Sequence, residues 1–583
     1  SCSFAGGDAV CRSCSFAGGD AVCRSCSFAG GDAVCRSCSF AGGDAVCRSC
    51  SFAGGDAVCR SCSFAGGDAV CRSCSFAGGD AVCRSCSFAG GDAVCRSCSF
   101  AGGWAVSAPS MALRQLAEAV PGLAGRSGDA EIAGLAHDSR EVSPGDLFFC
   151  VPGADHDGHD FASDALGRGA AALVVERPLR LPCPQLQTDS VRRAMGPVSS
   201  FFYGHPSRSM VVVGVTGTNG KTTVCSLLGS VLTAAGLRTE VLGTLTGTRT
   251  TPESLDLQRQ LASWRSAGVE AVAMEVSSHA LHQHRVDGIR YDAAVFTNLT
   301  VDHLDYHGTV EEYFAAKARL FTPEMAQRAA VNRGDEHGRH LAADPRIPTV
   351  GYDPRSLPVD VGPLGLRLRW RGSEARLRLN GRFNAANALA AAETALLLGA
   401  GVPEVLTGLE SAAAVPGRFE IVESAHPFTV VVDYAHTPDG LEQVLAAARE
   451  LLTGSGRLRV VFGCGGDRDT GKRPLMGRVA AESADQVIVT SDNPRSENPD
   501  AIISDVVTGI SDVLAGVPRR SRGVLILADR RAAIARSLAE ARDGDVVMVA
   551  GKGHETTQTA GRRAIPFDDR AVAQELLAAM KAV

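Results

Sequence analysis

The chain lacks any run of the roughly 18 apolar residues that a membrane-crossing helix requires, and it shows no charged stretch leading into an apolar segment of the secretory kind. No membrane span is therefore expected, and the cytoplasm is the expected location. It also lacks an excess of basic charge: 58 lysines and arginines stand against 64 aspartates and glutamates, for a net charge of −6. That balance argues against a general nucleic-acid or membrane-surface binder, which would need a cationic face. Cysteine is scarce beyond Cys98, where only Cys150, Cys183, Cys225 and Cys464 remain. Thiols so few and so scattered make no disulfide framework and suit a reducing compartment.

What fills the first hundred residues is repetition. Residues 1–96 are eight copies of SCSFAGGDAVCR, and a ninth decays at SCSFAGGWAVSAPS. Each copy carries one Asp and one Arg, so the net acidity belongs to the rest of the chain. The junctions read Cys-Arg-Ser-Cys, giving CxxC pairs from Cys11/Cys14 to Cys95/Cys98. Such pairs can grip zinc, and a fixed period can also build a solenoid. Against both, the spacer SFAGGDAV has little apolar bulk to form a core, and the copies show none of the drift of natural repeats. Residues 1–108 are read as a Cys-rich leader without structure of its own, dispensable for chemistry. Met111, which opens the helix-like MALRQLAEAV, is read as the start of the folded part.

From residue 109 onward there is room for about three domains at roughly 150 residues each. The strongest chemical signal is MVVVGVTGTNGKTTVCSLLGSVLTAAG from Met210, an apolar strand, a glycine-rich turn and a helix in the order a phosphate cradle needs. Backbone amides of Gly217, Thr218, Asn219, Gly220, Lys221 and Thr222 would face phosphates, Lys221 would reach the terminal one, and the Thr222 hydroxyl would join magnesium. The pattern departs from G-x-x-x-x-G-K-[ST], because Val215 stands five positions before Gly220. Downstream, VEAVAMEVSSHAL and YDAAVFTNLT read as strands whose carboxyl ends carry Glu275, Ser277 and, a little further on, Asp302 and His303. The spacing His303-x-x-x-His307 invites a zinc site but lacks the Glu of H-E-x-x-H and any sign of a helix. On its helical pattern alone, Lys317 in VEEYFAAKARLF reads as a solvated lysine. Near the C-terminus Gln486 to Val489 read as a short buried strand, and Asp492-Asn493-Pro494-Arg495 as the loop past its carboxyl end. That loop is either a polar turn or part of a ligand site, since ligands bind at that edge of open α/β sheets.

With GVTGTNGKTT, MEVSSHAL, NLTVDHLDYHG, YFAAKARLF, GRFNAANALAA, VDYAHTPDGL, GCGGDRDTGKRP, SDNPR and GKGHE in order, the chain from about residue 111 closely resembles the Mur ligases. The resemblance implies an α/β protein of three domains: 109–205 for the uridine nucleotide, 206–422 for ATP, and a Rossmann-like 423–583 for the amino acid. It implies an ATP-dependent ligase that adds meso-2,6-diaminopimelate to UDP-N-acetylmuramoyl-L-alanyl-D-glutamate through an acyl phosphate. The alternative acceptor is L-lysine or another diamino acid. ATP and Mg2+ are the implied cofactors, and a monomer the expected state.

Roles follow by motif. Lys221, Glu275, His303 and Lys317 are the implied catalytic set, with Thr222, Glu275, His303 and Lys317 around magnesium and Lys317 carbamylated, against the solvated reading. Gly217 to Thr223, namely Gly217, Thr218, Asn219, Gly220, Lys221, Thr222 and Thr223, together with Asn384, Asn387, Asp433 and His436, would border ATP. His137, Ser139, Ala154, Asp155 and His156 would meet the uridine diphosphate. Thr250, Thr251, Ser277, Gln283 and Arg285 would hold the muramoyl dipeptide, although Arg249 precedes the threonines where the family often has Asn. Arg468, Asp492, Asn493, Pro494, Arg495, Gly551 and Glu555 would form the amino-acid pocket. Diaminopimelate has one carboxylate more than lysine, and the Arg495 guanidinium can fork onto it. Sites built on such pairing discriminate by about 10⁴ or more.

Overall fold

The computed structural model describes residues 110–583 apart from 126–127, 154–155, 248, 363–364, 516–522, 562 and 581–583, and of residues 1–109 only backbone strands between Cys2 and Cys95. The chain divides into two compact units, Ser1–Ala108 and Pro109–Val583. Among the described residues, the strands of the first unit pair into an 11-stranded sheet. Its parallel pairings set like residues of different repeats side by side, as in Cys2↔Cys26, Phe16↔Phe40 and Val70↔Val94. A strict twelve-residue period makes every such register equivalent, so the pairing follows from the repetition itself. The thiols of the CxxC pairs, on which the zinc reading turns, lie outside the described residues.

The second unit holds three α/β layers. Its first sheet pairs Gly134–Ala136, Asp146–Phe149, Ala172–Val175 and Gln185–Gln187 in parallel, with Ala124–Gly125 antiparallel at the edge. The helix expected at Met111 begins at Leu113, because Met111–Ala112 pairs with Glu131–Ile132 instead.

The second sheet is wholly parallel, in the order Thr239–Leu242, Ala271–Glu275, Val211–Thr216, Ala293–Phe296, Ala329–Asn332, Thr349–Tyr352. Its inner strands are buried on both faces, which is why they read as unbroken apolar runs. The chain leaves Val211–Thr216 for one side of the sheet and later returns to the other, opening a crevice at the carboxyl ends where ligands can enter. Helix Phe383–Leu397 presents Ala385, Ala388, Ala391 and Ala395 to the core of this layer, all at most 3% exposed.

The third sheet runs Glu420–Val422, Thr429–Asp433, Val546–Ala550, Leu458–Phe462, Gln486–Val489, Gly523–Ile526, parallel except for the first. It therefore takes in a strand just ahead of the 422/423 joint drawn from sequence. Gln486–Val489 is the strand expected before the Asp-Asn-Pro-Arg loop. A hairpin, Thr557–Ala560 with Arg563–Pro566, follows the last inner strand. Among the described residues no helix is long and apolar enough to cross a membrane.

Candidate active site

The carboxyl ends of the second and third sheets face a common cavity of about 370 Å³. On one side, Gly220 holds φ at +88°, in the left-handed region, and an added Cβ there would overlap the Asn387 amide, so the turn is closed to side chains. The loop is tied to the end of strand Ala293–Phe296: Thr218 N donates to Asn298 O at 2.9 Å and Asn219 N to Asn298 Oδ1 at 2.9 Å. Lys221 Nζ turns back onto the carbonyls of Gly217 and Thr218, at 2.9 and 2.8 Å. Burial pulls its amine below the usual lysine range, and the Glu275 carboxylate opposes that pull.

Glu275 is 2% exposed, and its Oε1 accepts from the Thr222 hydroxyl at 3.1 Å and from Thr244 N at 2.8 Å. A carboxylate beside a hydroxyl at a phosphate loop is a donor set that suits magnesium, which takes one or two protein oxygens and completes its shell with phosphate and water. No group of three or more His, Cys, Asp or Glu fit for a metal occurs among the described residues. His303 stands on this wall with its backbone in the left-handed region, φ 55°, and Asp302 Oδ2 3.4 Å from its Nε2. His307 does lie on a helical turn, Leu304–His307, contrary to the sequence reading, but its Nε2 is engaged by Ser278 Oγ at 3.0 Å.

Lys317 is not solvated. It is 1% exposed, its Nζ donates to Gly217 O at 2.9 Å, and the amine lies 4.5 Å from the centre of the Tyr313 ring. Burial and then the neighbouring Lys221 hold it well below the ordinary lysine range. Burial therefore favours the neutral form of the amine, and a neutral amine is the nucleophile that carbon dioxide requires. The residues fit a carbamate there.

The third layer contributes the opposite wall. Asp433 Oδ2 accepts from Phe419 N and Oδ1 from Ala435 N, both at 2.6 Å, while burial pushes its carboxyl up to about 6 against the pull of Arg418. His436 and Asn387 line the cavity, whereas Asn384 spends its amide on Asn380 O at 2.7 Å and on Asn387 at 2.8 Å and stays outside it.

At the far end, Asp492, Asn493, Arg495, Arg468, Gly551 and Glu555 all line the cavity, and Pro494 does not. Gly551 sits at φ +116°, where an added Cβ would come 2.5 Å from Asp492 Oδ2. Arg495 has φ 50°, and its Nη1 donates to Gly466 O at 2.6 Å. Asn493 Nδ2 donates to Glu555 Oε2 at 2.8 Å.

The remaining expected residues divide. Thr250 and Ser277 line the cavity, and Thr251 Oγ1 braces the strand end by donating to Glu275 O at 2.9 Å. The Gln283 amide is held by Arg285 Nη2 at 2.5 Å and by the Tyr306 hydroxyl at 3.0 Å. Arg285, Arg249 and Arg192 converge on Glu253, at 3.0, 2.9 and 3.2 Å. His137, Ser139 and His156 belong to the first layer and do not line this cavity, and Ala154 and Asp155 lie outside the described residues.

Sequence reading missed Arg418, Lys472 and Tyr434, which all line the cavity. Arg418 Nη2 donates to Thr222 Oγ1 at 3.0 Å, its guanidinium lies 4.4 Å from the centre of the Tyr434 ring, and its buried Nε has no partner among the described residues. Lys472 carried a usable signal, the glycine-rich GCGGDRDTGK after strand Leu458–Phe462.

Three family profiles match the second unit: Mur ligase middle domain over residues 215–395, Mur ligase glutamate ligase domain over 417–553, and Mur ligase family catalytic domain over 131–199. The UDP-N-acetylmuramoyl-L-alanyl-D-glutamate–2,6-diaminopimelate ligase of Geobacillus kaustophilus is 46% identical over 475 residues, covering 77% of this chain and 95% of its own length. The ligase of the same name from Streptomyces coelicolor is 44% identical over 482 residues, covering 77% and 93%. A solved structure of such a ligase is 32% identical with a TM-score of 0.55, covering 77% of this chain and 95% of that one.

Proposed function

The chain belongs to the Mur ligase family, and we propose that it joins meso-2,6-diaminopimelate to UDP-N-acetylmuramoyl-L-alanyl-D-glutamate with ATP as the energy source, in peptidoglycan precursor synthesis. One observation carries this reading: the phosphate loop and the Asp492–Arg495 loop open into one cavity. A carboxylate is a poor acyl donor, so the D-glutamyl carboxylate must first receive the γ-phosphate. Lys221 and Arg418 line the cavity beside Thr222 and would spread the charge that builds on the transferring phosphoryl group.

Thr222, Glu275 and His303 would hold magnesium, with the Lys317 carbamate as a further oxygen donor. When bound, the ion offsets phosphate charge and aligns the phosphoryl group. Asn219 Nδ2 already bonds Asp439 Oδ2 of the third layer at 3.0 Å, a contact that supports closure of the cavity against water. The diamino acid's amine then attacks the acyl phosphate, the new C–N bond forms, phosphate leaves, and the amine's proton passes to solvent or a nearby base. Asp492 and Glu555 would take the far ammonium and Arg495 the far carboxylate. Lysine at this site would leave the guanidinium without its anion, which favours diaminopimelate over the lysine alternative.

The test is ATP-dependent ligation by the full chain with a panel of amino acids, read by product mass. Diaminopimelate should be joined, with ADP and phosphate released. Equal use of lysine would sink the specificity argument.

A further inference from the structure

One step behind the cavity wall, the third layer holds a lysine with no exposed surface. Lys552 follows strand Val546–Ala550, is 0% exposed, and does not line the cavity. Its ammonium donates to Thr557 O at 2.7 Å, to Glu555 Oε2 at 2.9 Å and to Asn493 Oδ1 at 3.3 Å. An ammonium has three hydrogens to give, and all are given. Asn493 Oδ1 also accepts from Thr559 N at 2.9 Å, and Asn493 Nδ2 donates to Glu555 Oε2 at 2.8 Å.

The polar inventory then closes. Both lone pairs of Asn493 Oδ1 are taken, which fixes which way the amide faces. Glu555 Oε2 receives two donors. What this network leaves free is the second Nδ2 hydrogen of Asn493 and the Oε1 of Glu555, on the two residues that do line the cavity. The same hairpin carries Arg495: its N donates to Thr559 O at 3.0 Å, and Gly561 N donates back to Arg495 O at 2.6 Å. Lys552 therefore ties together the parts that would meet both polar groups at the far end of the diamino acid.

We infer that Lys552 is a positioning residue that fixes the substrate-facing atoms of Asn493 and Glu555, an inference that rests on the amide-ligase reading above. Its charge serves the same end. Burial pushes the Glu555 carboxyl up, yet Lys552 and the Asn493 amide more than offset this and hold it below the usual range, ionised for a cationic amino group. Two of the three Lys552 acceptors are atoms of the cavity residues themselves, so its bonds act on the pocket and not on the hairpin alone.

The experiment compares steady-state kinetics of the full chain with those of Lys552→Met and Lys552→Gln, for all three substrates. Lys552→Met should raise KM for diaminopimelate by about tenfold or more and leave KM for ATP and for the UDP-linked dipeptide within about twofold. Lys552→Gln, which keeps amide donors without the charge, should fall between Lys552→Met and the unmodified chain. An unchanged diaminopimelate KM in a folded Lys552→Met, or a parallel rise for all three substrates, would overturn the inference. Failure of both variants to fold would assign the residue to stability and overturn it equally. Absence of ligation by the unmodified chain would instead reject the reading on which it rests.

Discussion

Beside the phosphate loop, Lys221 and Lys317 both donate to the carbonyl of Gly217, at 2.9 Å each, so two amines share one neutral dipole, and Lys221 has Thr218 O as a further acceptor at 2.8 Å. At the amino-acid end, Lys552 meets a carboxylate, an amide and a carbonyl, and every donor has its own acceptor. The first arrangement gives both amines carbonyl acceptors, weaker partners than the phosphate oxygens an ATP ligand would bring. The second has its polar geometry set by the chain's own residues, which lowers the ordering cost of binding and sharpens choice among acceptors. The contrast suits a two-step reaction. The phosphate end must reorganise around a charge that moves, while the amino-acid end must only hold one acceptor in place.

The contrast can be broken most forcefully at Lys317. Lys317→Ala should lower kcat by about 10³-fold or more if an oxygen donor near the transferring phosphoryl group is lost, with an unchanged far-UV circular dichroism spectrum. A short carboxylic acid should restore part of the rate, and an uncarbamylated lysine in a fully active enzyme would refute the assignment.

Arg495→Ala probes the other end. Removal of one partner from a partly buried charge pair should cut kcat/KM for diaminopimelate by about 10²–10³-fold. KM for ATP should stay where it is; a matching rise in the ATP constant would show that the two ends are not independent.

A smaller effect is structural. In a complex with magnesium and a non-hydrolysable ATP analogue, the Lys221 amine should leave the Gly217 carbonyl for phosphate oxygen. The Asn493–Glu555 bond of 2.8 Å should keep its length. Crystallography of that complex checks both, and an amino-acid network that forms only after diaminopimelate binds would erase the contrast.

The smallest effect is expected from the repeats. A chain beginning at Met111 should ligate at the full chain's rate per molecule, within about twofold. Each repeat offers one Phe, one Val and two Ala against a backbone ordering cost of roughly 1–2 kcal/mol per residue, and no catalytic motif falls among them. Loss of activity on truncation, or stoichiometric zinc on the repeats under reducing conditions, would show that they form a working module.

The sequence by itself determined the elements that depend on local rules. A glycine-rich turn between an apolar strand and a helix has few uses, and the loop Gly217–Thr222 lies where that order requires. Pro494 ends a ladder, so the polar residues after Gln486–Val489 had to fall at the strand's carboxyl edge, and they do. The tertiary structure alone decided what burial and distant pairing control. Helical spacing cannot tell a solvated lysine from one packed under a phosphate loop, and Lys317 meets Gly217 from 100 residues away. Arg418 reaches Thr222 across 196 residues, and Lys552 reaches Asn493 across 59. A buried ammonium or guanidinium takes its role from the acceptors that surround it, and those acceptors come together only when the sheets close.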